Sequence, residues 1–126
     1  MKFAKYVYYI AAVYGIIALL PQYFMEAKIG RDAPPAITHP EFFYGFVGIA
    51  LVFQIVFFII ARDPLKYRAL MPVTILEKLS FGIPTFILYL QNRLHVSMFA
   101  AGLIDLTLGL FFVIAFLKTK QGNLSE

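Results

Sequence analysis

The sequence contains no cysteine and no tryptophan, only 2 histidines, and charged residues at just 14%. The missing thiols exclude disulfides, thiolate metal sites and thiol redox chemistry together. His39 and His95 are far apart and form no His-x-x-x-His pair or His/Cys cluster, so no metal site and no cofactor is expected. His39 reads as a solvent-exposed loop residue and His95 as an interfacial one. There is no glycine-rich phosphate loop, and Ser80 has no local base, so no residue is assigned a catalytic role. Hydrophobic residues make up 61% of the chain, with a mean hydropathy of +0.79. Such a composition lies outside that of soluble globular domains and marks a membrane protein.

Four apolar runs, about Tyr6 to Phe24, Phe42 to Ala61, Ala69 to Gln91 and Val96 to Leu117, each come near the ~20 residues that a ~30 Å hydrocarbon core requires. In lipid the backbone must satisfy its own hydrogen bonds, and runs this long without strict alternation exclude barrel strands. The expected fold is all-α: a polytopic membrane protein whose residues 1–126 form a single antiparallel four-helix transmembrane bundle. Lys2, Lys5, Arg62, Lys66, Arg68, Lys118 and Lys120 fall at one end of it and Lys28, Arg31 and Arg93 at the other, which places both termini in the cytoplasm. The formal charge of +4 then reflects topology and contact with anionic membrane lipid, not nucleic-acid binding.

The first run has a basic start and tyrosines at 6, 8, 9 and 14 but no small-x-small cleavage site, so it reads as an uncleaved anchor with interfacial rings. Pro21 and Gln22 close it, and Met25 to Glu41 form one long loop. Thr38-His39-Pro40-Glu41 has the form of a capping box opening the second run. Arg62-Asp63-Pro64 reads as an N-cap followed by proline, which makes the second and third runs antiparallel neighbours. The phenylalanines of the second run suit lipid contact and core packing.

Against this apolar background the stretch Thr74 to Pro84 stands out, because Glu77 and Lys78 lie inside it. Ionisable groups in hydrocarbon are costly unless they face a bundle interior and find partners, so they mark a candidate site. Gln54 in the second run and Asp105 in the fourth are the other strongly polar interruptions, with helix glue as the bland reading of Gln54. Reflection about the short turns sets Gln54 level with Glu77, and Tyr14 near Asp105, with the two acids about five residues or ~7 Å apart in depth. Two tiers are expected, with Gly48 and Gly82 leaving room for a small ligand or water at the level of Asp105. Pro84 withholds a donor from the Ser80 carbonyl and is expected to kink the helix there. Lys78 either snorkels to the headgroups or turns inward to neutralise a carboxylate.

A small four-helix chain with both ends inside and intramembrane carboxylates at Glu77 and Asp105 resembles the DoxX-like group of bacterial membrane proteins. It is more loosely similar to EXPERA-type bundles, whose intramembrane acids face a cavity for lipophilic amines or sterols. The resemblance is architectural and carries over no residues. The compact topology suits a bacterial inner membrane.

Three functions fit. The first is a site in which Glu77 and Asp105, positioned by Gln54 and Tyr14, hold a small lipophilic or cationic molecule or relay protons. The second is an accessory or assembly subunit of a larger membrane complex, with no ligand of its own; a homo-oligomer is the other assembly expected. The third is a membrane enzyme acting on an isoprenoid or sterol-like substrate. The topology is directly checkable, because the chain has no native thiol. A cysteine introduced by Gly30→Cys should react with an impermeant maleimide from outside the cell, and one introduced by Lys66→Cys should react only after the membrane is opened.

Overall fold

A computed structural model describes residues 2–124, with side chains through Thr119; the Lys120 side chain therefore lies outside the described residues. These residues form helices and no strand: α1 (Lys2–Leu19), α2 (Glu26–Asp32), α3 (Pro40–Arg62), α4 (Met71–Leu90) and α5 (Val96–Leu124). Short 3₁₀ turns at Leu20–Phe24 and Arg68–Leu70 extend α1 and precede α4. Four stretches, Lys2–Phe24, Pro40–Arg62, Arg68–Leu90 and Val96–Thr119, are long and apolar enough to cross a membrane. Their outward faces carry large apolar residues such as Ile17, Ile49, Leu76 and Leu110, each more than half exposed, as a lipid-facing surface requires.

The ends of the elements are set by local chemistry. The α3 helix begins at Pro40, where a missing N–H costs nothing, and His39 occupies the cap position without a side-chain bond. The capping box expected at Thr38 and Glu41 does not form; the His39 carbonyl accepts from the amides of Phe42 and Phe43 instead. Asp63 closes α3, and its Oδ1 accepts from the Lys66 amide at 3.2 Å, folding the connection into a turn. At the end of α4, Asn92 adopts a left-handed φ of 57°, and the Arg93 amide bonds back to the Leu88 carbonyl at 2.9 Å. The α4 helix runs through Pro84 as one element.

The long loop expected between the first two runs contains α2. Its Lys28 and Asp32 pair four residues apart at 2.6 Å, and Tyr44 of α3 donates to Glu26 at 2.9 Å, tying α2 down to the bundle. Loop composition hid it, since seven residues are too few to show an apolar stripe.

Two of the three consecutive pairs of long helices pack closely and one does not. The α1 helix lies mainly against α3 and α5, and α4 mainly against α5, while α3 and α4 meet at only a few positions. The close approach of α4 and α5 follows from glycine: Leu106 occupies the space where a Gly82 side chain would stand, and the Thr85 side chain fills the corresponding space beside Gly102. The Tyr23 hydroxyl likewise takes the place of a side chain on Gly48. The spaces expected beside Gly48 and Gly82 for a ligand are thus filled by the protein itself.

The core sits in the half of the bundle that holds the N-terminus. Tyr8, Phe57, Ile60, Met71 and Phe112 are fully buried there, with alanines 4, 11, 12, 61 and 115 between them. Tyr8 stacks on Phe112 at 4.2 Å and meets Phe57 edge-on at 6.0 Å. Its hydroxyl lies 2.8 Å from Thr74 Oγ1, whose single proton goes to the Met71 carbonyl at 2.7 Å, so Tyr8 must be the donor. Tyr8 is therefore a core residue and not one of the interfacial rings that its place near the N-terminus suggests. These contacts bring the starts of α1 and α4 to the ends of α3 and α5, so the long helices alternate in direction. Tyr8→Phe keeps the stack and loses one buried hydrogen bond, about 1 kcal/mol. Tyr8→Ala also empties the core and should cost about 3–5 kcal/mol, read from reversible unfolding in micelles.

Candidate functional site

Above the aromatic core the four long helices part around a cavity of about 90 Å³. The α1 helix contributes Tyr14 and Gly15, α3 contributes Phe46, Ala50 and Gln54, α4 contributes Glu77, Lys78 and Phe81, and α5 contributes Met98 and Asp105. The five polar residues singled out in the sequence, Tyr14, Gln54, Glu77, Lys78 and Asp105, thus line one space. Ser80 does not; it faces a groove on the other side of Glu77, and its hydroxyl donates to the Glu77 carbonyl at 2.7 Å.

Lys78 turns inward, with only 4% of its side chain exposed. Its Nζ lies 3.4 Å from Asp105 Oδ1 and 3.7 Å from Glu77 Oε2, and 5.0 Å from the centre of the Phe57 ring. The ammonium joins both carboxyls, so the two expected tiers merge into one cluster that spans α4 and α5. Gly109 makes this possible, because a side chain there would press on Lys78 Cβ. Both ionic separations exceed the ~2.7–2.9 Å of a tight charge-assisted hydrogen bond. The lysine is shared between two acids and closes on neither.

Gln54 is 1% exposed, and its Nε2 donates to the Ala50 carbonyl at 2.7 Å. That bond fixes the amide orientation, since reversing it would set two acceptors against each other. Gln54 Oε1 is buried against Gly15 without a hydrogen-bond partner, and Glu77 Oε2 has only its long ion pair with Lys78. A buried acceptor without a hydrogen bond carries a desolvation penalty of about 1–3 kcal/mol. Tyr14 lines the cavity, and its hydroxyl makes no hydrogen bond among the described residues, so the expected Tyr14–Asp105 contact is one of proximity only.

The cavity has two neighbours. Toward α2 it shares Ala18, Gln22, Met98 and Ala101 with a surface pocket that reaches Lys28 and Asp32. Toward the lipid side it shares Phe46, Ala50, Glu77 and Phe81 with a groove between α3 and α4. Among the described residues there is no group of histidines and acids that could hold a metal ion. Sequence reasoning missed Gly15, against whose backbone the Gln54 amide packs, and Gly109. A small residue on a helix opposite an intramembrane polar one is the signal that identifies such positions.

No family model matches the sequence, and no curated protein or solved structure shows significant similarity to it.

The shared lysine generates a clear expectation. Lys78→Met leaves two buried carboxyls without their cation and should cost about 3–5 kcal/mol. Combining it with Glu77→Gln and Asp105→Asn removes the uncompensated charge and should recover most of that loss. Thermal unfolding of the single, double and triple variants in one detergent measures the coupling.

Proposed function

We propose that the protein is a bacterial inner-membrane protein, with both termini in the cytoplasm, whose intramembrane cluster of Glu77, Asp105 and Lys78 binds a small cation: a protonated amine or a proton. The observation that supports this reading is the charge imbalance of the cluster, two largely buried carboxyls sharing the single ammonium of Lys78, with no other cation in contact with either among the described residues. With both acids ionised the cluster carries one net negative charge in a low-dielectric site, and such a charge is stable only when neutralised.

Each part of the site then has a role. Lys78 holds Glu77 and Asp105 within reach of one another, and Gln54 and Tyr14 border the space. The remaining carboxylate charge attracts the cation, and the apolar walls favour one with hydrocarbon attached. An uncharged residue set would bury more cheaply, which argues against purely structural glue as the reason for a third ionisable group. Intramembrane acids facing a cavity are also the feature shared with the DoxX-like and EXPERA-type proteins that the sequence resembles.

Methylammonium is the simplest probe. At ten times its Kd it should stabilise the purified protein by about 1.4 kcal/mol. Glu77→Gln and Asp105→Asn, singly and combined, should fold and lose that stabilisation, because an amide can still hydrogen-bond but carries no charge. If the amide variants respond to methylammonium as the unmodified protein does, the acids are structural and the proposal fails.

A further inference from the structure

The cavity holding Glu77, at about 90 Å³, is far smaller than the ~300–1,000 Å³ that encloses a drug-sized ligand. The groove on the other side of the same glutamate measures about 490 Å³ and is lined by Ile49, Phe53, Val73 and Leu76, with Ser80 as its other polar residue. Ile49, Val73 and Leu76 are 66%, 48% and 64% exposed, so in a membrane the groove opens directly to the acyl chains. It exists because α3 and α4, though consecutive long helices, scarcely touch. Between groove and cavity stand Phe46 and Phe81, one from each helix, stacked at 5.3 Å and lining both spaces.

Resting on the cation-binding reading, we infer that the ligand is a single-chain amphiphilic amine taken from the bilayer through the α3/α4 cleft, its N–H-bearing head on Glu77 and its hydrocarbon tail in the groove. The polar chemistry of the cleft selects this class. Ser80 spends its proton on the Glu77 carbonyl, so its oxygen presents only lone pairs to the groove. Deeper in, the cavity is walled by Gln54, whose amide packs against Gly15. Carboxylate and hydroxyl oxygen along one path are both acceptors, matched by an ammonium that still carries hydrogens. A neutral alcohol supplies one proton and no charge. The small inner cavity admits the head, and only the open groove has room for the tail. The Phe46–Phe81 stack is the pair that must part for the head to pass.

The test uses the full chain in lipid vesicles with a dodecylamine that carries a diazirine at the far end of its chain, and the corresponding dodecanol as control. After illumination, label is mapped by mass spectrometry to each helix. The amine should label residues 46–53 of α3 and 73–81 of α4 about tenfold more than the alcohol does, the ratio expected of one charge-assisted hydrogen bond. Unlabelled dodecylamine should compete and dodecanol should not. In Glu77→Gln the amine's pattern should fall to the alcohol's. Equal labelling by amine and alcohol, or amine label spread over the exposed faces of α1 and α5, overturns the inference. Should Glu77→Gln fail to fold, the amine-to-alcohol ratio and the competition in the unmodified protein decide it alone. Stabilisation by methylammonium that depends on Glu77, without preferential labelling of the cleft, would retain the cation site and reject the lateral route. No such stabilisation, with no preferential label, would reject both.

Discussion

One ammonium shared by two carboxyls organises the upper half of this molecule. Lys78 lies between Glu77 on its own helix and Asp105 on α5, at distances too long for either pair to be closed and too short for either to be independent. In hydrocarbon such a group cannot be left alone, so the helices that carry it are held together by what their charges would otherwise cost. The glycines at 82, 102 and 109 let α4 and α5 come near enough for the pairing. Close packing and charge compensation therefore act on the same helix pair.

Below this cluster the bundle is organised differently. The half containing Tyr8, Phe57, Met71 and Phe112 is filled by aromatic and aliphatic side chains with a directed chain of hydrogen bonds from Tyr8 through Thr74 to Met71. The one buried side-chain polar atom without a hydrogen bond among the described residues of that half is Arg68 Nε, at its edge over the Phe116 ring. The half that contains Gln54, Glu77 and Asp105 has missing partners and open space. The first half is suited to fixing the helices, and the second gathers the ionisable groups around the open space.

Much of the architecture was legible in the sequence, because twenty-residue apolar runs admit few alternatives in lipid. The polar residues that line the cavity were legible for the same reason: Glu77, Lys78, Asp105 and Gln54 stand out where almost every neighbour is apolar. What could not be read was which neighbours pack most closely. Adjacency in the chain holds for α1 with α3 and for α4 with α5, but α3 and α4 meet at only a few positions while α5 packs against α1, and the glycine contacts between α4 and α5 are visible only in three dimensions. Tyr8 misled for a related reason: a tyrosine near an N-terminus suits the interface, and the buried Thr74 that satisfies its hydroxyl lies 66 positions away. The inward turn of Lys78 also depended on distant residues, the Phe57 ring and the space left by Gly109.

The fully buried layer around Tyr8 has a consequence for traffic across the membrane. None of its side chains lines the cavity, and none of its large members has exposed surface. The cavity is consequently closed toward the N-terminal end of the bundle. It borders the α3/α4 groove and the pocket beside α2, but nothing passes beyond the aromatic layer unless α1 and α3 separate from α4 and α5 and break the stack of Tyr8 on Phe112. A static pore is thus incompatible with this packing, and any net passage from one side to the other would have to be driven by a change in shape.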